Sequence, residues 1–179
     1  AFFRDGDVIE PGDTVLTITA PTRELLTAER TLLNIVTHLS GIATITRRWV
    51  DAMIGTRCQV RDTRKTLPGL RDLEKYAVRV GGGVNHRMAL GDAALIKDNH
   101  VVAAGGVVEA LRAVKEQYPT IPTEVEVDSI EQLDAVLKEG VDLVLLDNMD
   151  LPTTSMAVQR RNMGAPRTKL ESSGGLTLS

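Results

Sequence analysis

From about Arg57 onward the chain alternates short apolar segments with amphipathic ones, and that alternation leaves few folds open. Strands are expected near residues 57–61, 93–97, 123–127, 142–146 and 168–172, with helices near 69–79, 107–117, 129–138 and 153–162. Such a rhythm means parallel strands joined by right-handed crossovers. An open doubly wound sheet and a β/α barrel both satisfy it, so what ends each strand has to decide. Arg64 and Lys65 follow the first strand, Lys97 closes the second and Glu126 lies near the end of the third. Asp147 follows the fourth, and Ser173-Gly174-Gly175 follow the fifth. Polar groups at the carboxyl ends of several strands are how barrel enzymes assemble their sites, whereas an open sheet concentrates its ligand residues at one switch point. The expected fold class is therefore α/β, with a TIM-like β/α barrel.

The earlier part of the chain reads differently. Residues 8–19 alternate around Pro11-Gly12-Asp13 and predict a strand pair. A helix follows from Arg23 to about Leu39, with Leu25, Leu26, Leu32, Leu33, Val36 and Leu39 on one stripe. A second helix, roughly Ile42 to Met53, is expected after Gly41. With 179 residues and 42% apolar content, one or two domains with a real core are expected. No apolar run approaches the roughly 20 residues that cross a bilayer, so no membrane partner is expected. The single cysteine, Cys58, reads as a buried small hydrophobe in a reducing, cytoplasmic setting. Because the chain lacks an initiating Met and stops where a helix would begin, an internal piece of a longer protein is expected.

Charge is unevenly placed. Net charge is −3, yet residues 61–100 hold eight Lys/Arg against five Asp/Glu. Cations gathered at turns in an acidic chain suit a small polyanion. Nucleic acid fits poorly, since there is no extended basic face and aromatic content is only 3%.

Several groups could carry chemistry. Arg64 and Lys65, flanked by Thr63 and Thr66, could hold a carboxylate or phosphate between them, or be solvated loop charges. Gly81-Gly82-Gly83 before Val84-Asn85-His86-Arg87 either lets backbone approach something closely or forms a flexible loop, since a helix end explains one glycine and not three. Lys97 ends an apolar strand and should either enter the barrel mouth or form a buried pair with a carboxylate. Glu124, Glu126 and Asp128 alternate with Val125 and Val127 and should face one way. Asp128 reads as a helix cap, which leaves Glu126 as the functional acid. Ser173 and Gly174, before an expected helix start, form a candidate phosphate site. Arg30 lies within the apolar stripe of its helix, where it either snorkels or serves a ligand or partner subunit.

Glu29-Arg30-Thr31, Asp62-Thr63-Arg64-Lys65-Thr66, Asn85-His86-Arg87, Ile96-Lys97-Asp98-Asn99-His100, Glu124-Val125-Glu126, Leu146-Asp147-Asn148 and Glu171-Ser172-Ser173-Gly174-Gly175 occur in this order. On these motifs the chain resembles the quinolinate phosphoribosyltransferases over essentially its whole length. The resemblance implies conversion of quinolinate and phosphoribosyl pyrophosphate to nicotinate mononucleotide, pyrophosphate and CO₂, with Mg²⁺, in NAD biosynthesis. It implies that residues 1–40 are the end of an α+β sandwich domain with a linking helix. Residues 41–179 would be a barrel catalytic domain, incomplete at its carboxyl end.

By the same resemblance, Arg64, His86, Arg87 and Lys97, with Thr63, bind the quinolinate carboxylates. Lys65 serves phosphoribosyl pyrophosphate. Glu126 and Asp147 meet the ribose hydroxyls and Mg²⁺, directly or through water, and Ser173 and Gly174 hold the 5′-phosphate. Lys65, Lys97, Glu126 and Asp147 are the catalytic set. Arg30 would reach the neighbouring subunit's site in a homodimer or higher oligomer. A carrier-domain reading of residues 5–19 fails, because the first lysine is Lys65. Nicotinate as substrate would need fewer cations.

Overall fold

The structure is a computed structural model describing residues 1–178. It divides into two compact units, Ala1–Met88 and the residues from Ala89 onward.

The first unit is built on α1 (Thr22–Ala52) and α2 (Arg71–Val80). The two helices expected on either side of Gly41 are one helix of 31 residues. A glycine inside a helix costs only about 1 kcal/mol relative to alanine, which is too little to stop a helix whose apolar stripe continues. Gly41 adopts no left-handed φ and has nothing near its missing Cβ.

Three expected strands, the pair over residues 8–19 and the one at 57–61, are absent among the described residues. Residues 8–19 form the Pro11-Gly12 turn, closed by Asp13 N–H donating to Glu10 O at 3.1 Å, but no ladder. Val8 and Ile9 are exposed, and an isolated two-stranded hairpin is at best marginal in water. Residues 57–61 contribute one parallel bridge, Arg61 to Val84. The partner segment follows three glycines directly and offers only Val84 to pair with. Cys58 is consequently exposed, not buried as expected.

The three glycines turn out to serve packing. A Cβ on Gly81 would lie 2.5 Å from Ala43 O and 2.7 Å from Thr46 Cβ, both on α1. Gly83 faces Val78 and Thr46 as closely, and Gly82 has φ +93°. What the backbone approaches is α1, with Thr46 as its one buried residue. Gly81→Ala should therefore destabilise by about 1–3 kcal/mol through overpacking against helix backbone. Gly41→Ala should stabilise by about 1 kcal/mol, since only helix propensity changes. Urea midpoints of the two variants test the pair, and equal signs would contradict the packing account.

The second unit follows the expected rhythm: β1 (Ala94–Ile96), α3 (Asp98–Ala104), α4 (Val107–Gln117), β2 (Thr123–Val127), α5 (Ile130–Lys138), β3 (Leu143–Asp147), α6 (Leu151–Gly164) and β4 (Lys169–Ser173). Only α3 was unforeseen, because seven residues are too few to display helical periodicity. It is bounded by Lys97 and by Gly105 at φ +84°. All four strands are parallel, in the order β1-β2-β3-β4.

The register separates the two sheet faces. Ile96, Val125, Val127, Val144 and Leu146 turn towards α4, α5 and α6 and form the core with Leu111, Leu133, Val136 and Ala157. Lys97, Glu124, Glu126, Asp147, Glu171 and Ser173 alternate onto the opposite face. Sequential order with the helices on one face is a sector of a β/α barrel. A doubly wound sheet would reverse its order and bury both faces under helices.

Candidate active site

In the first unit the candidate residues are arranged around a buried ion pair. Lys75, 1% exposed, donates from Nζ to Asp62 Oδ1 at 2.5 Å and to His86 O at 2.9 Å. Asp62 also accepts from Asn85 Nδ2 at 2.5 Å and from His86 N–H at 2.7 Å. Asn85 Nδ2 in turn reaches Lys75 O at 2.9 Å. One carboxylate thus ties the segment carrying Thr63, Arg64 and Lys65 to the segment carrying His86 and Arg87. A buried charge is tolerable only with this degree of pairing.

The loop beyond Asp62 is held just as closely. Thr63 Oγ1 accepts from Lys65 N–H at 3.0 Å. Arg71, at the start of α2, donates to Thr66 Oγ1 at 3.2 Å, to Arg64 O at 3.4 Å and to Met88 O at 3.4 Å. Glu74 bridges His38 Nε2 at 2.9 Å and Leu67 N–H at 3.2 Å. The Arg64 Nε is buried and has no hydrogen-bond partner among the described residues. A donor held in that state is suited to receive an anion.

Asp62, Thr63, Lys65, Thr66, Glu74, Lys75 and Val78 line a recess of 130 Å³. His86, 8% exposed, accepts at Nδ1 from Arg87 N–H at 2.7 Å. The neutral ring therefore carries its proton on Nε2, as a donor. Arg30 is exposed on α1 and is not among the residues lining the recess.

In the second unit, Lys97 Nζ donates to Glu126 Oε2 at 2.9 Å; a carboxylate partner is present, but with Lys97 44% exposed the pair is not the buried one that was the second alternative. Glu126 and Asp147 share the polar face near the carboxyl ends of neighbouring strands. Glu124 lies on that face too, 3% exposed, while Asp128 is exposed beyond the strand. Ser173 pairs with Asp147 at the end of β4, and Gly174 follows with φ +86°. The helix start expected after Ser173-Gly174 is not seen, since the described residues that follow are not helical. Any anion site there has turn N–H groups and hydroxyls to use, without a helix end.

The family model described as "Quinolinate phosphoribosyl transferase, C-terminal domain" matches residues 42–179, and the corresponding N-terminal domain model matches residues 1–40. The chain belongs to the quinolinate phosphoribosyl transferase family. A nicotinate-nucleotide pyrophosphorylase [carboxylating] of Mycobacterium leprae is 64% identical over 174 residues, covering 97% of this chain and 61% of the relative. The Homo sapiens protein of the same name is 39% identical, covering 99% and 61%. Among solved structures, NadC from Streptococcus pyogenes superposes with a TM-score of 0.90 at 45% identity, covering 98% of this chain and 61% of that one. The chain thus spans about three fifths of the length of these relatives.

The local sequence pattern gave little indication of the parts played by Lys75 and Arg71. For Lys75 the available signal was its place three residues before Val78, beside Glu74, on the side of α2 that proves buried. A lysine on a charged helix ordinarily reads as solvated, and only the opposing Asp62 reveals otherwise.

Proposed function

We propose that the protein transfers the phosphoribosyl group of phosphoribosyl pyrophosphate to the ring nitrogen of quinolinate, giving nicotinate mononucleotide, pyrophosphate and CO₂. The observation that carries this reading is that one carboxylate, Asp62, fastens the segment bearing Arg64 to the segment bearing His86 and Arg87, in a chain of this family. Anchored cations bind and orient a dicarboxylate, where mobile ones would lose entropy on binding.

In this reading Arg64, His86, Arg87 and Lys97, with Thr63, serve the quinolinate carboxylates, and Lys65 serves the pyrophosphate-bearing substrate. Ser173 and Gly174 take the 5′-phosphate through hydroxyl and backbone N–H groups. As pyrophosphate leaves C1, positive charge develops on the ribose, and the carboxylates of Glu126 and Asp147 offset it. These two acids offer hard oxygen donors on one sheet face, a set that suits Mg²⁺ directly or through water. When bound, Mg²⁺ neutralises charge on the departing pyrophosphate.

Residues 1–40 are proposed as the end of a sandwich domain with its linking helix, and residues 41–179 as the barrel domain. The assembly is proposed to be a homodimer or higher oligomer in which Arg30 serves the neighbouring subunit. Leu26, Leu33 and Val36, on the same stripe as Arg30, are exposed in the single chain, as an oligomeric contact requires. A cytoplasmic location is proposed with it; among the described residues no helix is long and apolar enough to cross a membrane.

Calorimetric titration with quinolinate, with nicotinate as control, tests the reading. Quinolinate should bind more tightly than nicotinate, and Arg87→Ala should weaken quinolinate by about tenfold or more, the value of a charge-assisted hydrogen bond. Equal binding of the two acids, or no effect of Arg87→Ala, would overturn the dicarboxylate assignment.

A further inference from the structure

Asp147 and the Ser173–Gly174 turn are proposed for opposite ends of one substrate, the pyrophosphate-bearing ribose carbon and the 5′-phosphate. They belong to different strands, β3 and β4, and end the ladder as a register pair. The last backbone bond between the two strands there is made by the residue that follows Asp147. Asn148 stands at this point.

Asn148 is the single non-glycine residue with positive φ among the described residues, at +51°. Left-handed backbone at a non-glycine position is held only where neighbours determine it. Here the neighbours are the proposed substrate-binding groups themselves. Its backbone N–H donates to Ser173 O at 2.9 Å, and its Nδ2 donates to Asp147 Oδ2 at 3.1 Å. Its side-chain amide also lies directly against Gly174, where an added Cβ would overlap it. A single exposed side chain therefore touches both the acid and the phosphate turn.

We propose that Asn148 is a positioning residue that fixes the Asp147 carboxylate relative to the Ser173–Gly174 turn. It thereby sets the spacing at which phosphoribosyl pyrophosphate and its metal are held. The inference rests on the proposed transferase function and deepens it. It assigns to Asn148 no contact with quinolinate, so the two substrates should respond differently to its loss.

Asn148→Gly is the informative variant. Glycine adopts the same φ without strain and keeps the backbone N–H, so a merely structural role predicts equal or greater stability and unchanged kinetics. A positioning role predicts an unchanged or raised urea midpoint and unchanged quinolinate affinity. It also predicts KM for phosphoribosyl pyrophosphate and the Mg²⁺ concentration for half-maximal rate raised about 10–100-fold, the usual effect of removing a ligand's hydrogen-bonded support. Asn148→Asp, of the same shape, should be the more impaired, because it sets a second carboxylate against Asp147. Unchanged kinetic constants in Asn148→Gly, beside an active wild type, would overturn the inference alone. An inactive, folded wild type with both substrates and Mg²⁺ supplied would overturn the functional reading together with it.

Discussion

Lys75→Met is expected to lower stability by about 3–5 kcal/mol, the cost of removing one partner from a buried ion pair. The ammonium is 1% exposed, and the Asp62 carboxylate it leaves behind is 8% exposed. Methionine fills the same volume, so the loss isolates charge and hydrogen bonding from packing. Asp62 would keep its bonds from Asn85 and His86 N–H, which places the effect towards the lower end of that range. Adding Asp62→Asn should restore part of the loss, because no uncompensated charge then remains buried. Urea unfolding of the two single variants and the double variant measures this directly. A Lys75→Met protein as stable as wild type would show that the pair contributes nothing net to the fold. Since Lys75 also accounts for the placement of His86 O, quinolinate affinity should fall in the single variant even under conditions where it remains folded.

Glu126→Gln should separate activity from stability in the opposite sense. The change keeps shape and removes one charge at the end of β2. Its partner Lys97 is 44% exposed, so water can replace the lost interaction, and stability should change by about 0–1 kcal/mol. The rate should suffer far more. A carboxylate facing a developing positive centre is worth about 10²–10³ in kcat, comparable to removing one preorganised group from an oxyanion site. Steady-state kinetics with varied phosphoribosyl pyrophosphate, beside a urea titration, provides both readouts. A loss of several kcal/mol in stability with little change in kcat would identify Glu126 as a structural partner of Lys97 instead.

The contrast between these two residues reflects how each was legible. Glu126 and Lys97 stand out in the sequence because a charge at the end of an apolar strand is locally anomalous. Asp147, at the end of the apolar β3, shares that property. Lys75 does not: it sits in a helix with Arg71, Asp72, Glu74 and Arg79, where one more charge is ordinary. Gly81-Gly82-Gly83 misled in the other direction. Three glycines signal close approach, and the sequence has no means of saying whether a ligand or Thr46 of α1 is what approaches.

Secondary structure divides along the same line. In the second unit, α3 apart, the expected strand and helix ends agree with the structure to within two residues. A strand buried on its helix-facing side and a helix with one apolar stripe each write their burial into local spacing. For residues 8–19 and 57–61 the alternation was equally clear, yet a strand exists only if a ladder partner is present. The first segment has one backbone bond to another stretch of the chain, Phe2 N–H to Val15 O, and the second has a single bridge. Likewise Gly41 reads as a break, but the helix passes through it because the stripe on both sides continues.

The sequence by itself determined the parallel α/β architecture and its family, together with the strand-end acids, cations and glycines, because each is an anomaly against local periodicity. Only the tertiary structure decided that Lys75 is the buried counterion of Asp62, that the glycine run makes room for α1, and that Asn148 joins Asp147 to the turn after β4. In each case the energy depends on a group remote in sequence or on a backbone angle set by it, and side-chain spacing carries no record of either.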